Sequence, residues 1–83
     1  MNYITYLHKR NHQMVTEFKI EGEYIELIQL LKVLGIAATG GHAKFIVDEG
    51  EVFRNGEVEL RKRAKLVPGD IIEMEDFRVK LIA

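Results

Sequence analysis

The run LLKVLGIAATGGHAKFIVDEGEVFRNG, residues 30–56, decides the fold. Just upstream and into it, Leu27, Leu30, Leu31 and Leu34 fall at i, i+3, i+4 and i+7, one face of a helix at 3.6 residues per turn. Ile28 and Val33 widen that face, so the spacing predicts a heavily buried helix over residues 25–34. Gly35 follows directly and suits the left-handed position that ends a helix, after which Ile36 can pack back. Thr39 is the expected N-cap of a second helix, because its hydroxyl can accept an unpaired backbone N–H. Gly40 and Gly41 weaken the first turn of that helix. Ala43, Ile46 and Val47 form its inward stripe with Phe45 at the margin, and Gly50 ends it near Glu49. The connection between the helices is only about four residues, so the two must be neighbours. Asn55-Gly56 then signals a tight hairpin, since a type I′ turn needs positive φ at both central positions.

Downstream, Val67-Pro68-Gly69-Asp70 reads as a type II turn, with Pro68 presetting φ and Gly69 accepting positive φ. Ile71 to Glu75 is a strand, Asp76 turns it, and Phe77, Val79 and Leu81 alternate with Arg78 and Lys80 in a last strand. Upstream, residues 16–20 alternate as a short strand. Residues 1–15 show poor periodicity and are expected as a flexible N-terminal extension, a mobile tail or a short edge strand, with Met14 an alternative start. The expected class is α+β: one domain over 16–83, with two adjacent helices packed on a small, mainly antiparallel sheet.

The chain has 83 residues, 12 Lys/Arg against 13 Asp/Glu, a net charge of -1 and no Cys. A domain this short buries only about 60–65% of its unfolded surface, which allows one modest core. Without Cys there is no disulfide, thiolate nucleophile or thiolate zinc site, a pattern that fits a reducing, cytoplasmic setting. No window approaches the 18 apolar residues that a membrane helix needs. His8, His12 and His42 lack metal-ligand spacing. The glycines lack Rossmann or Walker spacing, and no carboxylate pair has the apolar flanks that raise a pKa for acid catalysis. The expectation is therefore no enzyme, cofactor, metal or small-molecule substrate.

The near-zero charge hides segregated blocks. Residues 17–26 hold four Glu against Lys19, and 48–59 hold five acids against Arg54. Arg61, Lys62, Arg63 and Lys65 then place four cations in five positions with no acid among them. Such a block is either a solvated strand end balanced by nearby Glu or a phosphate-binding patch that gains by counterion release. Read as an extended strand, Arg61, Arg63 and Lys65 share one face at roughly 6.6 Å spacing. Arg suits phosphate because its planar fork donates several hydrogen bonds at once. Lys44 adds charge beside the exposed N–H groups that open helix two, where an anion is already favoured. Gly40 and Gly41 there serve either a tight turn or a close approach to phosphate. His42 is expected to be exposed and is a further phosphate candidate, as is Arg54 before the hairpin turn. Tyr24 and Phe53 are the aromatic candidates for stacking, although rim packing accounts for both.

Taken in order, Leu34-Gly35, Thr39, Ala43, Ile46, Gly50, Val52, Asn55-Gly56 and Gly69-Asp70 resemble the S4 RNA-binding domain. That module occurs in a small-subunit ribosomal protein, pseudouridine synthases and tyrosyl-tRNA synthetases. The resemblance covers Leu30 to Met74 and is nearest to the small stand-alone bacterial S4-like proteins. It implies the S4-like (alpha-L) fold and a helix-hairpin surface that clasps structured RNA, ribosomal or transfer RNA, in translation or ribosome assembly. It also implies that Lys44 contacts RNA, with Arg54, Arg61, Lys62, Arg63 and Lys65 extending the surface around Thr39, Gly40, Gly41 and His42. The family usually carries Arg after the Ser/Thr of helix two, where this chain has Gly40; the 61–65 block would compensate. The expected state is a monomer. The alternative is a protein-interaction adaptor whose basic strip meets an acidic partner.

Overall fold

A computed structural model describes residues 3–8 and 13–83. In chain order the elements are β1 Tyr3–His8, β2 Gln13–Lys19, β3 Ile25–Glu26, α1 Leu27–Val33, α2 Gly40–Asp48, β4 Phe53–Arg54, β5 Glu57–Val58, β6 Lys65–Leu66, β7 Ile71–Met74 and β8 Phe77–Ile82. Six strands form one sheet in the order β1-β2-β8-β7-β4-β5, and β3 pairs with β6 in a second, two-stranded sheet. Only β2 and β8 run parallel, in register Met14↔Phe77 to Lys19↔Ile82; every other pair is antiparallel. The expected α+β class, with two neighbouring helices on a mainly antiparallel sheet, is the architecture found.

Alternation along the strands sends one face inward. Thr16, Phe18, Ile72, Val79 and Leu81 are buried on that face, and the helices contribute Leu27, Leu30, Leu31, Ala43, Ile46 and Val47 to the same core. Leu27, Leu30 and Leu31 are fully buried. Each such leucine contributes about 1.5–3 kcal/mol relative to an exposed one, which offsets the poor intrinsic stability of a two-turn helix.

Helix α1 starts later than the periodicity suggested. Ile25 and Glu26 are extended and pair with Leu66 and Lys65. The Glu26 side chain makes no cap; instead the Leu27 N–H donates to the Ala64 carbonyl (3.0 Å) and the Ile28 N–H to the Lys62 carbonyl (3.2 Å). Two of the N–H groups that every helix start leaves unpaired are thus satisfied from a distant segment.

That demand also reshapes the basic run. Residues 61–64 are not the extended strand with alternating faces expected above: the Ala64 N–H donates to the Arg61 carbonyl (3.1 Å), closing a turn, and only Lys65–Leu66 is strand. Ala64 and Leu66 are buried and anchor the turn, while Arg61, Lys62, Arg63 and Lys65 stay exposed. The shared face of Arg61, Arg63 and Lys65 is therefore replaced by cations fanned around a turn.

The turn chemistry follows the local sequence. Gly35 (φ 77°) and Gly50 (φ 73°) end the helices, and Asn55 (φ 52°) with Gly56 (φ 88°) forms the tight hairpin between β4 and β5. The strand expected over 16–20 begins earlier, because pairing with β8 extends β2 back to Met14 and pairing with β1 to Gln13. Of the extension expected over 1–15, Tyr3–His8 occupies the sheet edge as β1, Gln13 to Val15 belong to β2, and residues 1, 2 and 9–12 lie outside the described residues.

Candidate nucleic-acid interface

The start of α2 is built by reciprocal capping. Thr39 Oγ1 accepts the His42 N–H (3.0 Å), and His42 Nδ1 accepts the Ala38 N–H (3.2 Å). Thr39 and His42 thus use their side chains to fix the helix entry, with His42 exposed as expected. Gly40 and Gly41 are helical rather than left-handed, and a Cβ built at Gly40 would meet nothing within 4 Å. Their hydrogen side chains are not required by this fold's own packing. Lys44 lies one turn further on, exposed and without an ion pair among the described residues.

The basic turn docks against the same helix. Lys62 Nζ reaches Asp48 Oδ1 at 3.3 Å, and Asp48 follows Lys44 by four residues on the solvent face of α2. Arg63 is the freest of the run, with a side chain 77% exposed and a loose 3.8 Å contact to Glu26. The Lys65 ammonium sits 5.0 Å from the Tyr24 ring centroid, a cation–π contact that assigns Tyr24 to the strip rather than the core. Arg61 is clamped on Glu59: Nε donates to Oε2 (3.0 Å) and Nη2 to Oε1 (2.9 Å).

Arg54 sits differently from the other cations. Its Nε and Nη2 both donate to Asp70 Oδ2 (3.1 and 2.8 Å), Nη2 also donates to the Lys65 carbonyl (3.0 Å), and Nη1 makes a long 3.5 Å contact with Glu59. Asp70 also accepts the Val67 N–H (2.9 Å) and Asn55 Nδ2 (3.0 Å), while Asn55 Oδ1 accepts the Ile71 N–H (2.9 Å). Arg54, Asn55 and Asp70 therefore bolt the Asn-Gly hairpin to the 67–70 turn. This gives the Gly69-Asp70 pair a mechanical role: Gly69 (φ 98°) makes the turn and Asp70 fastens it.

Burial opposes ionisation of Asp70, but the Val67 N–H, Asn55, and the hydrogen bond and charge of Arg54 outweigh it and hold its carboxyl below the usual range. For Glu59 the Arg61 hydrogen bond dominates over the opposing burial and brings the pKa down to about 2. Both acids are ionised partners of the basic residues at neutral pH. A hollow of about 470 Å³ beside them is lined by Arg54, Asn55, Glu57, Val58, Glu59 and Arg61, whose cations are already matched to its acids.

One aromatic belongs elsewhere than the spacing suggested. Phe45, expected at the margin of the inward stripe, is 60% exposed. At about 100° per residue it lies roughly 150° from the centre of Ala43, Ile46 and Val47, so a helical projection identifies it as outward-facing. Among the described residues no group of three or more His, Asp or Glu could hold a metal ion, and no helix is long and apolar enough to cross a membrane.

Known proteins share this arrangement. The S4 domain family pattern matches residues 18–82. The chain is 39% identical over 64 residues to a Bacillus subtilis protein named "Probable ribosome maturation protein RlbA", covering 77% of this chain and 90% of that one. It is 38% identical over 60 residues to YbcJ of Escherichia coli, covering 72% of this chain and 86% of YbcJ. The solution structure of Escherichia coli YbcJ, described as revealing an alfaL motif involved in RNA binding, superposes with a TM-score of 0.63 at 35% identity, covering 81% of this chain and 86% of YbcJ. The fold is thus shared with that solved relative, and the chain belongs to the S4 domain family.

Proposed function

We propose that this chain is a non-catalytic RNA-binding module that grips folded RNA through the start of α2 and the basic turn at 61–65. The observation that supports the reading is the Lys62–Asp48 contact, which brings the basic turn against the solvent face of α2, the face that also carries Lys44. Four cations there match a phosphate backbone, and the lateral spread of a turn plus a helix suits a folded surface better than a single extended strand. Thr39, Gly40, Gly41 and His42 border the surface at the helix entry, where backbone N–H groups favour a phosphate. Arg61 contributes its outward edge while clamping Glu59, and Arg54 supports the surface from behind.

The net charge of -1 confines contact to this face and keeps nonspecific affinity modest. The name of the Bacillus subtilis relative makes ribosomal RNA the first ligand to try. We take the cytoplasm as the setting and a monomer as the state. The test is a titration of isotope-labelled protein with a structured ribosomal RNA fragment, duplex DNA and an acidic peptide. RNA is expected to shift resonances at Lys44 and 61–65 more strongly than the other two ligands. Arg63→Ala should weaken RNA binding with melting temperature nearly unchanged, because its only ion pair among the described residues is the loose one to Glu26. Arg61→Ala should lower both, since it leaves the buried Glu59 with the residue-61 backbone N–H (3.1 Å) and the long 3.5 Å contact to Arg54 in place of a bidentate clamp. Shifts confined to the peptide titration would replace RNA with an acidic protein as the partner.

A further inference from the structure

Phe45 is the most exposed large apolar side chain among the described residues, at 60%. It sits on the solvent face of α2 with Gly41, Lys44 and Asp48, opposite the buried Ala43, Ile46 and Val47. Helical side chains lean toward the N-terminus of their helix, so that side of the ring looks toward the turn that carries the residue four positions earlier. That residue is Gly41. A Cβ there would meet only Thr39 Oγ1, at 3.9 Å, and its φ is not left-handed, so nothing in the chain's own packing calls for glycine. Alanine would favour the helix by about 1 kcal/mol. Glycine leaves the N-terminal side of the Phe45 ring uncovered.

The surroundings of the ring are polar. Its companions on the face are a glycine, a lysine and an aspartate whose carboxylate holds Lys62 at 3.3 Å. A protein-docking hot spot would instead be ringed by further apolar side chains. An exposed π-face on a helix face that also carries Lys44 and the Asp48 that holds Lys62 matches a nucleobase with its phosphates nearby.

We infer that Phe45, with bare backbone at Gly41 on its N-terminal side, is a stacking shelf for one unpaired nucleobase, with Lys44 and Lys62 holding the adjoining phosphates. The inference rests on the RNA-binding reading and sharpens it. The RNA recognised is a paired stem interrupted by a bulged or looped-out nucleotide, and not an uninterrupted duplex.

The experiment compares a hairpin RNA carrying a single 2-aminopurine bulge with the same stem lacking the bulge. The parent chain should bind the bulged hairpin more tightly and quench its fluorescence. Phe45→Leu, which keeps an apolar side chain but removes the π-face, should lose roughly 5- to 150-fold in affinity for the bulged hairpin. It should bind the plain stem as the parent does. Phe45→Trp should retain the preference, and Gly41→Leu should abolish quenching by covering the shelf. All three should stay folded, because both positions face solvent. Equal binding of bulged and plain stems by the parent, or an unchanged preference in Phe45→Leu, overturns the shelf while leaving RNA binding intact. Failure of the parent to bind either RNA removes both.

Discussion

Replacing Asp70 with alanine tests whether the hairpin and the 67–70 turn are fastened by one carboxylate. The substitution removes three hydrogen bonds at Oδ2, from Arg54 Nε (3.1 Å), Arg54 Nη2 (2.8 Å) and the Val67 N–H (2.9 Å), and one at Oδ1 from Asn55 (3.0 Å). Bonds to charged groups contribute about 1.5–3 kcal/mol each, but those within one network do not add. Breaking a buried ion pair by removing one partner costs about 3–5 kcal/mol. Here the stranded Arg54 side chain is 21% exposed and keeps the Lys65 carbonyl at 3.0 Å, so water and one strong acceptor soften the loss. The lower end, about 3 kcal/mol, is the expected cost, equivalent to a fall in melting temperature of roughly 12–24 °C for a domain of this size. Urea denaturation followed by circular dichroism measures it, with an unchanged m-value as the check that the two end states are comparable. In a double-mutant cycle, Arg54→Ala and Asp70→Ala should together cost clearly less than the sum of the two. A loss below about 1 kcal/mol, or full additivity, would refute the bolt and return Arg54 to the pool of side chains available to a ligand.

Acid should loosen the same corner. Glu59 has a folded pKa of about 2 against an ordinary value of 4.5, so its contribution to stability is present above 4.5 and is lost as pH falls toward 2, with Asp70 acting in the same direction. A full shift of that size would be worth about 3 kcal/mol at ~1.36 kcal/mol per pH unit, but Arg61 is largely exposed and screened, which leaves about 1–2 kcal/mol. Urea midpoints measured between pH 6 and pH 2 should drop across that window in the parent and drop less in Glu59→Gln. An identical decline in both would put the acid sensitivity elsewhere. Asp48→Asn releases Lys62 and should tighten RNA binding by a few-fold, whereas Glu49→Gln, the same charge change next door, should do less. Filter binding at fixed salt compares them, and equal gains would mean that only net charge matters.

Much of this architecture is legible locally. The leucine spacing, Thr39, Asn55-Gly56 and Val67-Pro68-Gly69-Asp70 each act within a few residues, and each yields the element it suggests. What escapes is set by distant partners. Residues 61–64 carry nothing that announces a turn; they bend because α1 needs the carbonyls of Lys62 and Ala64. Arg54 reads as one more cation until Asp70 is brought against it from sixteen residues away. The parallel pairing of β2 with β8 has no short-range signature at all. For Phe45 the information was present in the helical projection, but spacing alone groups it with its apolar neighbours.

That parallel pairing also governs when the chain can fold. β8 lies between β2 and β7, so the strand that comes after all the others of this sheet in chain order is an interior one. Until Phe77–Ile82 emerges, β2 has no partner on that side and Val79 and Leu81 are missing from the core. Contacts spanning nearly the whole chain are slow to form because the loop must close before they stabilise anything. The domain is therefore expected to fold as a single unit, and only once β8 is available. A chain cut before Phe77 would display the basic turn without the packed scaffold that aims it.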